Sequence, residues 1–387
     1  MWSVRILTYN MFTPVAPPLR VYGQAERASR VGEVVAQFAD LDVVVLNEAI
    51  VPWAFEKARA SLHALGFVHH TEQLQDPFSV AGGVVIFSRH PLTQQERSSF
   101  GDKCHGIDCL ASKGVVYARV CKDGTHYFNV FATHMQAWPH AKAQATRRAQ
   151  IQQTRRFMET LRAPAHEPVF FVGDMNTDMY LARNNLQSMT RDLGLRLPPL
   201  HPESHPFTVD PQHNQLVGND DPDEYQSEDW PLGCAEDYYQ TLRCPCCPEE
   251  WLDYTLYSRH HLQPTSSHMR AVAVKVKPFR MEVRAGQTVA DMRDVSDHFP
   301  VVGHFEFAPV SAAESSAGAL DASAAHPAEV YGSGTLNLVW ALTACVVLAS
   351  LCVALLVWVA ASVYRAWGFS LATSNTLQVM TPPVMQP

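Results

Sequence analysis

Val169-Phe170-Phe171-Val172-Gly173-Asp174-Met175-Asn176-Thr177-Asp178 is the stretch on which the reading of this chain turns. Apolar residues of mostly β preference run into a glycine, then into two short side chains that ligate through oxygen. A buried strand ends this way when its carboxyl end presents ligands in a crevice. Gly173 lets the backbone turn or lie close to a bound group, which a Cβ would hinder. Asp174 offers anionic oxygens; Asn176 offers a neutral oxygen and an N–H donor. Together they suit a hard cation with a phosphate beside it. Taken alone, Gly-Asp-x-Asn is equally an Asx turn closing an ordinary strand, so the rest of the chain has to arbitrate.

Working outward, residues 4–10 read as a strand ending in an amide, and 24–39 as a helix carrying Arg27 and Arg30. Residues 41–48 form a second buried strand that ends in a carboxylate, 53–65 a helix, and 80–88 a strand entered through Gly82-Gly83. Residues 115–120 and 127–134 pair as a hairpin across Lys122-Asp123-Gly124. A long polar helix over 141–161 leads into the central strand. From 198 to 248 the chain is loop-like; strands follow over 251–258 and 300–307, with a strand or hairpin over 269–283. Strands alternating with helices, and hairpins inserted among them, give a two-sheet α/β sandwich with covering helices.

The chain has 387 residues, 47% of them hydrophobic and 18% charged, enough for one large domain and a smaller appendage. A net charge of −8 weighs against a polyanionic partner, which normally demands a basic excess. Among nine cysteines, Cys104 and Cys109 lie close together, as do Cys234, Cys244, Cys246 and Cys247, while Cys345 and Cys352 sit in an apolar run. Cys244-Pro245-Cys246-Cys247-Pro248 fits no standard zinc spacing, so structural disulfides are favoured over zinc. Met1-Trp2-Ser3-Val4-Arg5 shows no apolar core of a cleavable signal peptide.

After Phe307 the composition changes. Residues 309–335 are rich in Ala, Ser, Gly and Pro and read as a flexible linker. Residues 336–364 carry no charge and exceed the ~20 residues that a helix needs to cross a bilayer. Trp340, Trp358, Tyr364 and Trp367 sit near the ends as interfacial anchors, followed by a short tail over 365–387. The expectation is a single-pass membrane protein with a C-terminal anchor. The late anchor favours a cytosolic catalytic domain over 1–308; Arg365 against Glu314, Asp321 and Glu329 favours the opposite side, as do the clustered cysteines.

Candidate ligands end or precede the apolar runs: Asn10, Glu48, His134, Asp174 with Asn176, Asp253, and Asp297-His298. Each has an ordinary alternative: a cap for Asn10, a surface charge for Glu48, a satisfied core imidazole for His134, arginine partners for Asp253 and Asp297. Jointly they compose one metal-assisted phosphoryl-transfer site. Tyr9-Asn10, Leu46-Asn47-Glu48, Thr133-His134, Gly173-Asp174-Met175-Asn176, Leu252-Asp253-Tyr254 and Ser296-Asp297-His298 resemble the endonuclease/exonuclease/phosphatase superfamily over residues 4–307. Ala111-Ser112-Lys113-Gly114, Thr133-His134-Met135-Gln136-Ala137, Pro206-Phe207-Thr208-Val209-Asp210-Pro211 and His261-Leu262-Gln263-Pro264 are similar to its neutral sphingomyelinases.

That resemblance implies a four-layer α/β/β/α sandwich of two packed mixed sheets, and phospholipase C-type cleavage of a sphingolipid in a membrane. It implies Mg²⁺, with Mn²⁺ open as an alternative, held by Glu48 with Asn10 and Asp297 nearby. His298 is then the base, oriented by Asp253; Asp174 and Asn176 position the water and stabilise charge, with a second metal open. His134 hydrogen-bonds a phosphate oxygen or protonates the leaving alkoxide, and Lys113 binds phosphate or is a solvated surface lysine. The relatives' membrane-dipping hairpin corresponds here only to Val276-Lys277-Pro278-Phe279, a thin apolar tip. A membrane-tethered nuclease is the rival activity and a dead lipid sensor the rival class; no nucleic acid is expected, and no protein partner is readable.

Overall fold

Alternation along the first strand already shows how the molecule is layered. Val4 and Ile6 face one way and Leu7 and Tyr9 the other, and all four are buried, so this strand has protein on both faces. The computed structural model describes residues 1–13, 23–77, 79–217, 249–284 and 287–309.

Within them the strands are β1 (Trp2–Asn10), β2 (Val43–Asn47), β3 (His69–His70), β4 (Val85–Ser88), β5 (Leu92–Ser99), β6 (Gly114–Cys121) and β7 (Tyr127–His134). They continue as β8 (Val169–Asp174), β9 (Leu195–Arg196), β10 (Asp253–Ser258), β11 (Ser266–Ala271), β12 (Phe279–Arg284), β13 (Gln287–Met292) and β14 (Val301–Phe307). The helices are α1 (Gln24–Ala28), α2 (Val31–Val35), α3 (Pro52–Ala64), α4 (Ala141–Leu161) and α5 (Arg183–Asp192).

One sheet runs β11-β14-β1-β2-β4-β3 and the other β5-β6-β7-β8-β10-β9, while β12 and β13 form a separate ribbon. Each large sheet is mixed: β1 and β2 are parallel, as are β7 and β8, and the remaining pairs are antiparallel. Val4, Ile6, Val43 and Val45 meet Val116, Val130, Phe170 and Val172 in the core between the sheets. Leu7, Val44 and Phe87 pack outward on Val31, Ala58 and Leu62 of the first helices. Phe131 and Phe171 pack outward on Ile151, Leu186 and Met189 of α4 and α5. Two mixed sheets packed face to face, with helices outside each, are the expected architecture.

Several boundaries differ from expectation. The helix expected over 24–39 is broken into α1 and α2 at Ser29-Arg30, and it ends at Val35. The break lets α1 aim the fully buried Arg27 inward, where it donates to the carbonyls of Met11, Phe12 and Val295, while α2 separately turns Val31 and Val34 to the core. The strand expected over 80–88 pairs with β2 only over Val85–Ser88; at its start Val80 bridges instead to Ala111, and at Gly82 the backbone passes so close that a Cβ would lie 2.1 Å from the Ser112 carbonyl oxygen. The Val276–Phe279 tip is a correction: Val276 and Phe279 are buried in the core, Arg30 lies over the Phe279 ring, and the ribbon closes between Arg284 and Gln287.

Cys104 and Cys109 form a disulfide; Cys234, Cys244, Cys246, Cys247, Cys345 and Cys352 lie outside the described residues. So do residues 310–387, on which the expected linker, membrane segment and tail fall. Among the described residues no helix is long and apolar enough to cross a membrane.

Candidate active site

Strand register gathers the polar ends. Asn10 closes β1 beside Asn47 at the end of parallel β2, and Glu48 follows at once. His134 closes β7 beside Asp174 at the end of parallel β8. Since β10 runs antiparallel to β8, its first residue, Asp253, stands opposite Asp174. Asp297 and His298 precede β14, whose Val301 pairs with Thr8. Thus the two sheets bring their functional edges to one end of the sandwich, as parallel strands with ligands at their carboxyl ends do.

The sheets touch there through side chains. Asn10 Nδ2 donates to Glu48 Oε1 at 3.0 Å and to Asp174 Oδ2 at 3.2 Å, and Asn10 Oδ1 accepts from the Phe12 amide. The Asn10 nitrogen, not its oxygen, therefore faces the carboxylates. Asn47 Nδ2 donates across the sheets to the Thr133 carbonyl at 3.1 Å. Gly173 (φ 133°) permits this approach, since a Cβ would stand 2.0 Å from the Thr133 oxygen. Glu48 leaves β2 in a left-handed conformation (φ 54°), which carries strain a functional position can sustain, and Thr13 Oγ1 holds its carbonyl.

His298 Nδ1 and Asp253 Oδ2 are 2.7 Å apart, while His298 Nε2 points toward Asp174 Oδ2 at 4.0 Å. Ligand atoms of Asp174, Asp253 and His298 all lie within 4.8 Å of one another. Asp174 Oδ1 accepts from the Asn176 amide at 2.8 Å, and Asn176 Nδ2 donates to the Met135 carbonyl. His134 Nε2 stands 3.7 Å from Asp174 Oδ2 and 3.9 Å from Glu48 Oε1. Lys113, only 5% exposed, is no surface lysine; its Nζ donates to Asp108 Oδ2, to the Met135 carbonyl and toward His134 Nε2 at 3.3 Å. Glu48, Asn176 and Asp297 are the half-buried members, and they mark the mouth of the cluster.

Electrostatics separates the roles. Burial, with Asp297 adding to it, pushes Glu48 up to about 7; burial and Asp253 push Asp174 up to about 6. Burial also raises Asp297, against the lowering fields of His298 and Arg27. Burial alone would lower His298, but the carboxylates of Asp253, Asp297 and Asp174 outweigh it and hold the imidazole well above its usual value. His134 goes the other way, pushed well down by burial and by Lys113, and its Nδ1 has no partner. So much carboxylate in a buried site, with one buried oxygen of Asp253 left unpaired, fits a divalent oxygen-loving cation.

All nine expected residues meet here: Asn10, Glu48, Lys113, His134, Asp174, Asn176, Asp253, Asp297 and His298. Reading the sequence missed two supports. Asp108 Oδ2 accepts from both Lys113 Nζ and the Ala137 amide, and it lies in the disulfide-closed loop, whose only signal was the paired cysteines. Arg27 is the buried cation behind Asp297, and inside an amphipathic pattern it gave no sign of facing inward. Thr208 clamps the segments that carry Asp253 and His298: its Oγ1 accepts from the Leu252 amide and its carbonyl from the Phe299 amide.

The fold and this end-of-sheet carboxylate and imidazole cluster define a phosphoester hydrolase. The chain belongs to the Endonuclease/Exonuclease/phosphatase family, whose sequence profile matches residues 7–298. It is similar to sphingomyelinase C of Bacillus cereus, 25% identical over 321 residues, covering 77% of this chain and 87% of the relative. It is 26% identical to sphingomyelinase C of Listeria ivanovii over 322 residues, covering 78% and 86%. Among solved structures it resembles sphingomyelinase C from Streptomyces griseocarneus (TM-score 0.64, 26% identity, 79% of this chain and 100% of that one). A Staphylococcus aureus beta toxin variant with bound magnesium ions shares the fold (TM-score 0.64, 23% identity, 79% and 100%).

Proposed function

We propose that this chain is a magnesium-dependent phospholipase C-type enzyme that hydrolyses sphingomyelin to ceramide and phosphocholine. The carrying observation is the His298–Asp253 pair at 2.7 Å, with the other imidazole nitrogen turned toward Asp174 in the carboxylate cluster. Similarity to sphingomyelinases over three quarters of the chain supports the substrate.

Glu48, Asp174 and Asp297, with Asn176, would hold Mg²⁺, or Mn²⁺ in its place; Asn10 tethers Glu48 to Asp174 through its amide nitrogen. Bound there, the cation supplies charge stabilisation to the phosphoryl oxygens. His298, held protonated by the carboxylates of Asp253, Asp297 and Asp174, would be free to act as a base once their field is offset. His298 Nε2 takes a proton from water, the water oxygen bonds to phosphorus, and the bond to the ceramide oxygen breaks with its electron pair going to that oxygen, which takes up a proton from solvent. Asp253 stabilises the imidazolium so formed. His134, held neutral, donates or accepts a hydrogen bond at the phosphate, and the Lys113 ammonium is the chain's own cation against the charge that develops on the leaving oxygen.

Residues 309–335 tether this domain to a membrane-spanning helix over 336–364, which keeps the enzyme at its lipid. Incubating the purified chain with a panel of sphingo- and glycerophospholipids and with DNA, with and without Mg²⁺, tests the reading. Phosphocholine identified by mass, released from sphingomyelin only when Mg²⁺ is present, is the expected outcome. Cleavage of DNA with the lipids left intact would sink it in favour of a nuclease.

A further inference from the structure

A second group of metal-ligating side chains lies outside the site just described. His205, Asp210 and His213, on the loop preceding residue 218, bring one ligand atom each to within 4.8 Å of one another. Asp210 is buried, with Oδ1 fixed by the amides of Gln212 (2.8 Å) and His213 (3.1 Å), which leaves Oδ2 to face both imidazoles. That oxygen stands 3.4 Å from His205 Nε2 and 2.8 Å from His213 Nδ1. Ligands of a tetrahedral zinc ion, at bonds of ~2.0–2.1 Å, lie about 3.3 Å apart. The first pair already has that separation, and His213, 62% exposed, has room to swing out by the remainder.

The hydrogen bonding of His205 is what points to a cation rather than to a simple ion pair. Its Nδ1 is 2.9 Å from the Phe207 carbonyl oxygen, an acceptor, with the Phe207 amide farther off at 3.3 Å. The shorter contact favours the tautomer with the proton on Nδ1, in which Nε2 turns its lone pair toward Asp210, although the Phe207 amide also points at Nδ1. A metal-bound imidazole is oriented in this way, its second nitrogen donating to a backbone carbonyl. Two imidazoles, which are borderline ligands, joined by one carboxylate suit zinc better than magnesium. The exposed side at His213 leaves the remaining position to water.

We propose that His205, Asp210 and His213 form a zinc-class divalent-cation site, separate from the catalytic metal, that bolts this loop to the catalytic base. The loop is already joined to it at several points. Val209 bridges to His298, the Thr208 carbonyl accepts from the Phe299 amide, Asn214 Nδ2 donates to the Ser296 carbonyl at 2.9 Å, and His205 packs edge-on to Phe299. This site does not depend on the substrate proposed above, since its readout is metal content.

The full chain in detergent, kept in excess Mg²⁺ to occupy the hard-oxygen site, is dialysed against micromolar zinc and its metal content counted. The wild type should hold one zinc equivalent that His213→Ala and His205→Gln both lose, with affinity weakened by about tenfold or more. His166→Ala, an exposed histidine elsewhere, should keep it. Zinc should also raise the melting temperature of the wild type and of His166→Ala by a few degrees, and leave the other two variants unmoved. Cobalt in place of zinc should give visible bands without thiolate charge transfer. Equal zinc in the wild type and His213→Ala, no zinc in the wild type, or a thiolate band that assigns the metal to the Cys244–Cys247 stretch would each overturn the proposal.

Discussion

His298 and His134 are both buried imidazoles at one carboxylate cluster, yet their neighbours drive them to opposite charge states. Asp253, Asp297 and Asp174 hold the proton on the first; burial and Lys113 strip it from the second. His298→Ala should lower turnover by a factor on the order of 10²–10⁴ with substrate binding little changed. The loss should be the same on sphingomyelin and on a nitrophenyl phosphocholine analogue, because water still needs its proton removed. His134→Ala should also be slow on both, since a neutral imidazole positions phosphate and does not protonate the leaving oxygen. Selective recovery of that variant on the analogue would give it the acid's role. The same shifts set the pH dependence of the metal-free protein. From about pH 6.5 upward the native state keeps a proton on His298, and up to about pH 7 one on Glu48, that the unfolded chain has released, so unfolding gets easier as pH rises. Below that window His134, lowered in the fold, works in the opposite direction. With chelator present the melting temperature should fall across that window, and magnesium should restore more of it at the alkaline end. A melting temperature that climbs with pH would mean that the carboxylates are not held protonated as the buried geometry demands.

At the scale of elements, legibility followed burial. β1, β2 and β8 are apolar runs that lead into a ligand and β10 opens on one, so they and the site were readable together. β5 (Leu92–Ser99) was not, because it is an edge strand, mostly exposed, whose LTQQERSS carries no apolar alternation. α5 passed unnoticed because only Leu186 and Met189 are buried in a stretch dominated by polar residues. The α1–α2 break was hidden because apolar periodicity continues through it, whereas the cause, Arg27 reaching Met11 and Val295, is a contact 268 residues apart in its longer arm. The motif at Pro206–Pro211 was read as a likeness; its structural meaning, Thr208 clamping the Asp253 and His298 segments, rests on pairing that no local pattern encodes. Gly173 is where element and site meet most sharply. Gly173→Ala adds a Cβ against the Thr133 oxygen in a left-handed backbone, so it should cost roughly 2–4 kcal/mol of stability. It should also part the two sheets at Asn47 and Asp174, so activity should drop in the fraction that still folds. A variant with wild-type melting temperature and turnover would show that the sheets do not need to approach so closely.

For the whole molecule, the question is how a catalytic end of an acidic sandwich meets a lipid. The net charge of −8 gives no general attraction to an anionic surface, and the β12–β13 ribbon roots Phe279 in the core instead of offering it to a bilayer. Every residue of the proposed site lies between Asn10 and His298, and the two sheets close with β14 at Phe307, ahead of the proposed linker. On that proposed division the apolar segment over 336–364 would contribute location and not chemistry. Tethering converts encounter with substrate into a local event whose effective concentration is set by linker length, without any new contact at the site. Truncation near Gly334 should therefore leave hydrolysis of detergent-dispersed sphingomyelin largely intact, because there substrate reaches the site by diffusion in either form. On vesicles the truncated chain should be slower at equal concentration, and raising the enzyme concentration should recover the rate. Loss of activity in detergent as well would place the apolar segment inside the folded catalytic unit. Undiminished activity on vesicles would mean that the catalytic domain binds the bilayer by a surface of its own.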